Sequence, residues 1–597
     1  MPAGAGQGNW LIMKTLQTKE SGGLPEPSSL LELEKRDPRR AEALWHSLTT
    51  DQRLRTILQA RAEDRLRLIT LARDSRELVR RLAPDEFAST VLELGPADAG
   101  LLVEYSTDAQ LNYLLDLTGW RQERFAPGRY QVWVPLILDA GPQRLERWLK
   151  ATDLELLILL FAHWFRVEKF LPSQEQQEPP DDLPSFTLDG VYFLEFRDKN
   201  TAGFVAQILT HLRNQDPQRY TTILEGMLWE SAAQLAEDAL RWRQGRLRDH
   251  GFPDRLEGLE LWARPRPGEA DWEKLPPKPG LGLESERRLH SNLATRLLPR
   301  DELLPTLAGR LEGRAGEDLM AELAYVANCG VVALDVDPAQ PEAVARAARE
   351  SLGLVNMGLG LLSGGDATKA ARILERVPAP ALARQGSQAL RRLNHRAFLL
   401  IDQGWLKQVP TGLHVLDQPL DRWVAGLLYP RPRCYDPNLG QGREYRSFLS
   451  LADLEMASRQ LDLAEFWGRL LLEFMAISPE QLRDTITSAG WPQEPEEIKT
   501  SALMGTWLAR RALGLGGLAP IPRSELNRAV QALQAGLKGE LSRELVESCA
   551  ALAQPQAASL ASRLLRRVLD YLEEELARID TSREIEPEFI AGLVVEP

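Results

Sequence analysis

The sequence predicts a mainly all-α protein: an α-solenoid or helical-repeat superhelix, followed by a C-terminal half of helical hairpins, with at most minor local β elements. Three observations lead there. Short amphipathic units recur up to Trp120. Apolar residues then continue at three- and four-residue steps through most of the chain. Alternating, strand-like runs are rare.

The repeat comes first. Thr49-Thr50-Asp51, Glu63-Asp64, Asp74-Ser75, Ala83-Pro84-Asp85, Pro96-Ala97-Asp98 and Ser106-Thr107-Asp108 each read as a helix start. Proline fits the first helical positions because its missing N–H has no partner there anyway, and an early carboxylate meets the positive end of the helix dipole. Apolar residues follow each start at helical spacing: Leu54, Ile57 and Leu58; Phe87, Val91 and Leu92; Leu111, Leu114 and Leu115. Ala151-Thr152-Asp153 restarts the pattern before Leu156, Leu157 and Leu160. A helix of roughly 8 to 10 residues is marginal alone in water, so stacked copies that cover one another are the expected solution.

This stretch resembles the cytoplasmic N-terminal domain of MgtE magnesium transporters and the related helical domains of the flagellar switch protein FliG. The matching residues are Leu82, Pro84, Asp85, Ala88, Val91, Leu92 and Leu94, then Pro96, Asp98, Leu101 and Leu102. The resemblance covers about residues 45–120. It implies a superhelical fold and, if several repeat acids face one groove, Mg²⁺ binding. Over its whole length the chain resembles an uncharacterised bacterial family of unknown function (domain of unknown function 6178) through DHGFPD (Asp249 to Asp254), GLGLLSGGDATKAARIL (Gly358 to Leu374) and EYRSFLSLADLE (Glu444 to Glu455). That likeness implies no activity.

Taken in order, residues 1–29 are rich in Gly, Pro and Ser without periodicity and read as a disordered N-terminus. Residues 30–171 form the helical repeat domain. Arg121 to Pro135 breaks it with Pro127-Gly128 and a short aromatic run, Tyr130 to Val134, and Pro142 to Phe170 returns to helix. An acidic, proline-rich linker spans 172–185. A helical subdomain covers 186–263: Val191 to Phe196 reads as a strand with no evident partner, then Thr201 to Asp216 and Pro217 to Gly245 as two helices. A second proline-rich linker occupies 264–283.

The C-terminal helical domain runs over 284–579. Within it Pro341 to Leu362 and Asp366 to Val377 form a hairpin around Ser363-Gly364-Gly365. Leu382 to Gln403 is another helix. Pro410 to Gln441 is irregular, and a long loop in a helical domain is a candidate surface. Ser478-Pro479-Glu480-Gln481 has the spacing of a capping box, and Ser524 reads as the cap of the helix that ends near Gly536. Residues 580–597 are an acidic tail with an apolar patch at Phe589-Ile590 and Leu593 to Val595.

Composition narrows the function. With 72 Lys+Arg against 85 Asp+Glu the net charge is −13, which argues against a general nucleic-acid binder. The three cysteines, Cys329, Cys434 and Cys549, make no CxxC pair, which fits a reducing cytoplasm. The longest apolar run, Leu156 to Phe165, is half what a membrane span needs. The N-terminus lacks the pattern of a signal peptide.

No HExxH, GxSxG or GxxxxGK[ST] occurs. Gly358-Leu359-Gly360 with Gly364-Gly365 has no preceding strand, so helix packing and a turn explain it better than a phosphate cradle. Asp335-Val336-Asp337 precedes Pro338 and reads as a solvated loop. The seven histidines share no helix face at ligand spacing, and His163 reads as a packed core residue. The candidate surface is Asp249, His250 and Asp254; Trp423, Tyr429 and Tyr435 in the 410–441 loop, suited to a peptide or partner groove; and Arg446 with Asp453.

The expectation is a non-catalytic cytoplasmic scaffold or adaptor that binds another protein, with no cofactor, no nucleic acid and no membrane span. A divalent-metal-responsive module, or an enzyme built on Asp249, His250 and Asp254 or on Arg446 and Asp453, is the alternative.

Overall fold

The computed structural model describes residues 25–171, 182–278, 293–311, 313–440, 442–537, 546 and 558–597. The N-terminal stretch up to residue 24, most of the 172–185 linker, residues 279–292 and Cys549 lie outside the described residues. Helix accounts for 68% and strand for 4%, so the protein is mainly α. It forms two compact units. One holds the described residues up to Trp262, with Asp271–Leu352 and Ala367–Ala381; the other holds Ala263–Ala270, Gly353–Asp366 and Leu382–Pro597.

In the first unit the helices begin where local chemistry starts them. Pro27, Pro38, Pro84, Pro142 and Pro217 each open a helix at its first position. Thr49 and Thr107 cap Thr50–Gln59 and Asp108–Thr118 with reciprocal capping boxes to Gln52 and Gln110. The repeat acids Asp51, Asp64, Asp85 and Asp108 lie in first turns, where they face the dipole rather than serve as the cap.

Helices here pack mainly on the next but one. Thr50–Gln59 meets Ala62–Thr70 and Ser75–Arg81, Ala62–Thr70 meets Pro84–Leu94, and Pro84–Leu94 meets Asp108–Thr118. The apolar faces merge into one core from Leu30 to Leu247, which encloses Trp45, Trp120, Trp148 and Trp164. Inside it Arg65 is 1% exposed, and each of its three guanidinium nitrogens has a partner. It donates to Glu86 and Thr90 at 2.9 Å, to Leu58 O at 3.1 Å and to Ala60 O at 3.0 Å. A buried charge is tolerable only with such a complete shell.

Three local expectations need correction. Tyr130 to Val134, placed in a break of the helical pattern, is the start of a helix, Tyr130–Asp139; its buried residues Tyr130, Trp133, Val134 and Ile137 fall at helical steps. The helix expected to Phe170 stops at Trp164, and Phe165–Lys169 becomes a strand. That strand supplies the partner that Tyr192–Phe196 lacked in sequence: they pair antiparallel, Phe165 with Phe196 through Lys169 with Tyr192, and Phe186–Thr187 adds on the other side of Tyr192–Phe196. The expected long helix over Pro217 to Gly245 is two, Pro217–Trp229 and Ala232–Asp249, because the chain turns extended at Glu230 and Ser231.

In the second unit Gly358 and Gly386 let two helices touch. A Cβ on Gly358 would lie 1.9 Å from Leu382 O, and one on Gly386 would lie 2.2 Å from Leu354 O. Such close helix packing requires glycine. Pro410 to Gln441 is not irregular throughout: Leu420–Leu427 is a helix that buries Leu420, Val424 and Leu427, and Cys434–Tyr435 pairs with Tyr445–Arg446. Ser478 caps Pro479–Thr487 in a capping box with Gln481. Ser524 lies instead in a short 3-10 turn, Arg523–Glu525, and Leu526–Gly536 follows without a side-chain cap. The tail is held by backbone. Val595 exchanges hydrogen bonds with Trp491, and Ile521 N donates to Val594 O at 2.8 Å. Ile590, Leu593, Val594 and Val595 are fully buried. Among the described residues no helix is long and apolar enough to cross a membrane.

Candidate functional site

The helix Ala232–Asp249 buries Leu235, Ala239, Arg243 and Leu247 at steps of four. An arginine therefore occupies a core-facing position. Its guanidinium lies over the Trp120 ring, 5.3 Å from the centroid. Its Nε donates to Asp116 O at 2.7 Å. The Asp116 carboxylate is already held by Arg246 through two bonds of 2.8 and 3.0 Å, and Arg246 also reaches Asp153 at 2.5 Å. Burial works against the Arg246 charge, but the two carboxylates outweigh it and hold its proton more firmly than usual.

Arg243 is left differently placed. It is 9% exposed, and among the described residues no carboxylate lies within 4 Å of it. Burial pulls its guanidinium below the ordinary value. The buried Trp120 indole N–H beside it also has no acceptor among the described residues.

Arg243 and Trp120 line a cleft of about 630 Å³ built from three segments: 120–124, 240–255 and 331–340. That is a ligand-sized volume. Arg121, Arg124, Arg248 and Arg255 stand around it, interleaved with Glu123, Asp254, Asp335 and Asp337. Arg248 pairs with Asp254 at 2.9 Å. Arg129 grips Asp337 through two bonds of 2.9 and 2.5 Å. Burial raises the Asp337 carboxyl, and the Arg129 bond overcomes that and holds it below the usual carboxylate range. Trp120–Arg121 pairs antiparallel with Arg124–Phe125, and Gln122 in the turn between them donates from Nε2 to Asp335 at 2.5 Å, tying that turn to the loop after Gly313–Ala333. Among the described residues the cleft lining contains no serine, threonine, cysteine, histidine, lysine or tyrosine.

The model of a family of unknown function, DUF6178, matches residues 42–596. The chain belongs to this family. No curated protein and no solved structure matches it.

In this member of DUF6178 the stretch Asp249 to Asp254 borders the cleft. Phe252 N bonds Leu247 O and Gly251 N bonds Arg248 O, both at 2.9 Å, with Gly251 at φ 74°. These are the two bonds of a Schellman helix end. Asp254 then starts the next short helix in a capping box with Glu257 and lines the cleft. The Glu257 N–H, ahead of Arg248, keeps the Asp254 carboxyl below its usual range. His250 packs edge-on against Tyr113, ring centroids 5.5 Å apart. Asp249 is the exposed last residue of its helix.

The other five candidates come together in the second unit. Trp423, Tyr435, Tyr445 and Tyr429 form a string of ring contacts, Trp423–Tyr435 at 6.0 Å, Tyr435–Tyr445 at 6.0 Å and Tyr429–Tyr445 at 5.6 Å. Arg446 forks onto Asp453 with two 2.8 Å bonds and reaches Asp436 at 2.9 Å. Asp453 also accepts from Leu449 N at 2.8 Å, so the pair locks the hairpin to the helix that Ser450 caps.

Sequence reasoning missed Arg243. Four arginines at 241, 243, 246 and 248 in one helix carried the signal, because only some of them can lie on its wet face. Cys329 and Cys434 are buried thiols pushed up to about 12 by burial, which makes them poor nucleophiles. Among the described residues no three His, Cys, Asp or Glu side chains cluster to hold a metal ion.

Proposed function

We propose that this protein is a non-catalytic scaffold or adaptor whose cleft takes an acidic segment of a partner protein. Arg243 carries the reading. A buried cation costs several kcal/mol unless an anion meets it, and the internal carboxylate that acts on it most, Asp116, is engaged by Arg246. A carboxylate from outside supplies the missing partner and two charge-assisted hydrogen bonds.

Cations alternate with carboxylates along the walls, which suits a peptide of mixed polarity better than the unbroken negative charge of a nucleic acid. The net charge of −13 argues the same way. The helices from Thr50 to Thr118, packed mainly on the next but one, support the finer reading of a short superhelical platform. The unpaired thiols of Cys329 and Cys434 suit a reducing cytoplasm.

Fluorescence anisotropy of a labelled glutamate-rich peptide against the full chain tests this. Saturable binding that weakens as salt rises is expected. Absence of binding at low salt overturns the reading.

A further inference from the structure

Beside the cleft lies a smaller cavity of about 150 Å³ that shares Phe252, Val331 and Pro338 with it. Its character is different. Leu92, Leu117, Ala327 and Val344 line it with apolar surface, and Ala327 and Val331 are 6% and 3% exposed. Its charged lining residues are Asp85, Glu86, Glu93 and Arg296, the last two paired at 3.5 Å, so the small cavity draws a carboxylate less than the five arginines of the large one. A largely apolar recess of this size accepts a group about as large as benzene.

We infer that the acidic segment carries one branched aliphatic or aromatic side chain next to its carboxylates, and that this side chain fills the smaller cavity. The inference rests on the reading of the cleft given above. The two recognition elements have separate tasks. The arginines attract and orient the segment, whereas burying one large apolar side chain supplies a hot-spot contact that a plain acidic chain lacks. The charge contrast between the two spaces sets the direction in which the segment lies.

The test uses the full chain and labelled glutamate-rich peptides of equal length that differ at one position: Ala, Val, Leu or Phe. Affinity rises about tenfold from the Ala to the Leu peptide, the scale expected for burying a side chain of that size. In an Ala327→Leu variant, whose added atoms occupy the cavity, the difference between the Leu and Ala peptides disappears. Leu92→Ala, which enlarges the cavity, moves the preference from Leu towards Phe and stands in if Ala327→Leu does not fold.

Equal affinities for the Ala and Leu peptides overturn the inference and leave the cleft reading in place. A Leu preference that persists unchanged in a folded cavity variant also overturns it, because the side chain then lies elsewhere. Failure of every peptide to bind overturns both.

Discussion

Gln122 and Asp335 meet at the rim of the cleft, each in left-handed backbone, with φ of 58° and 54°, and joined by a hydrogen bond of 2.5 Å. Among the described residues only one other non-glycine, Ala476, has positive φ. Two of three such residues thus form a single contact at the candidate site. Strain of this kind persists where surrounding structure enforces it, and it gathers at functional places.

The backbone makes a prediction at Asp335. Replacement by Gly, which adopts φ of 54° without penalty, changes stability little. Replacement by Val destabilises by about 1–2 kcal/mol or more, because a β-branched side chain clashes there. Urea denaturation midpoints of the two variants check the difference.

The Arg65–Glu86 pair predicts strong non-additivity. Arg65→Met alone leaves Glu86 buried without its main partner and costs about 3–5 kcal/mol, whereas Arg65→Met with Glu86→Leu recovers most of the loss. Chemical unfolding of both single variants and the double variant reads the coupling.

Acid sensitivity follows from Asp453. Burial raises its carboxyl, but the Arg446 fork and the backbone N–H bonds prevail and hold it below the ordinary range. A folded value below the unfolded one of about 3.9 gives stability that is complete a unit or so above that value, and it is lost as pH falls through the folded value. Thermal melts between neutral pH and pH 3 therefore show a falling midpoint on the acid side. Asp453→Asn lowers the midpoint at neutral pH and flattens that acid limb.

Much of the helical architecture was legible in the chain. Thr49, Thr107 and Ser478 announce helix starts because capping is local chemistry, readable over four residues. The small sheet was not, because Phe165–Lys169 finds its partner across the stretch from 170 to 191 and looks like the end of a greasy helix until paired. Tyr130 to Val134 was hidden in the break opened by Pro127-Gly128, although its buried residues fall at helical steps. The site was only half legible. Asp254 borders the cleft as a helix-start acid. The significance of Arg243 depends on where Asp116, Trp120 and Arg246 sit in space, and no local pattern encodes that.

Arg243 tests the account most directly. Isothermal titration of a glutamate-rich peptide carrying one Leu, against the natural chain and Arg243→Met, should show at least about a tenfold loss of affinity in the variant. The thermal midpoint of the variant should be unchanged or higher, since an apolar side chain of similar length removes an unpaired buried charge. Equal affinity in both proteins, or a variant that loses binding only because it no longer folds, would contradict the claim that this buried guanidinium waits for an external carboxylate.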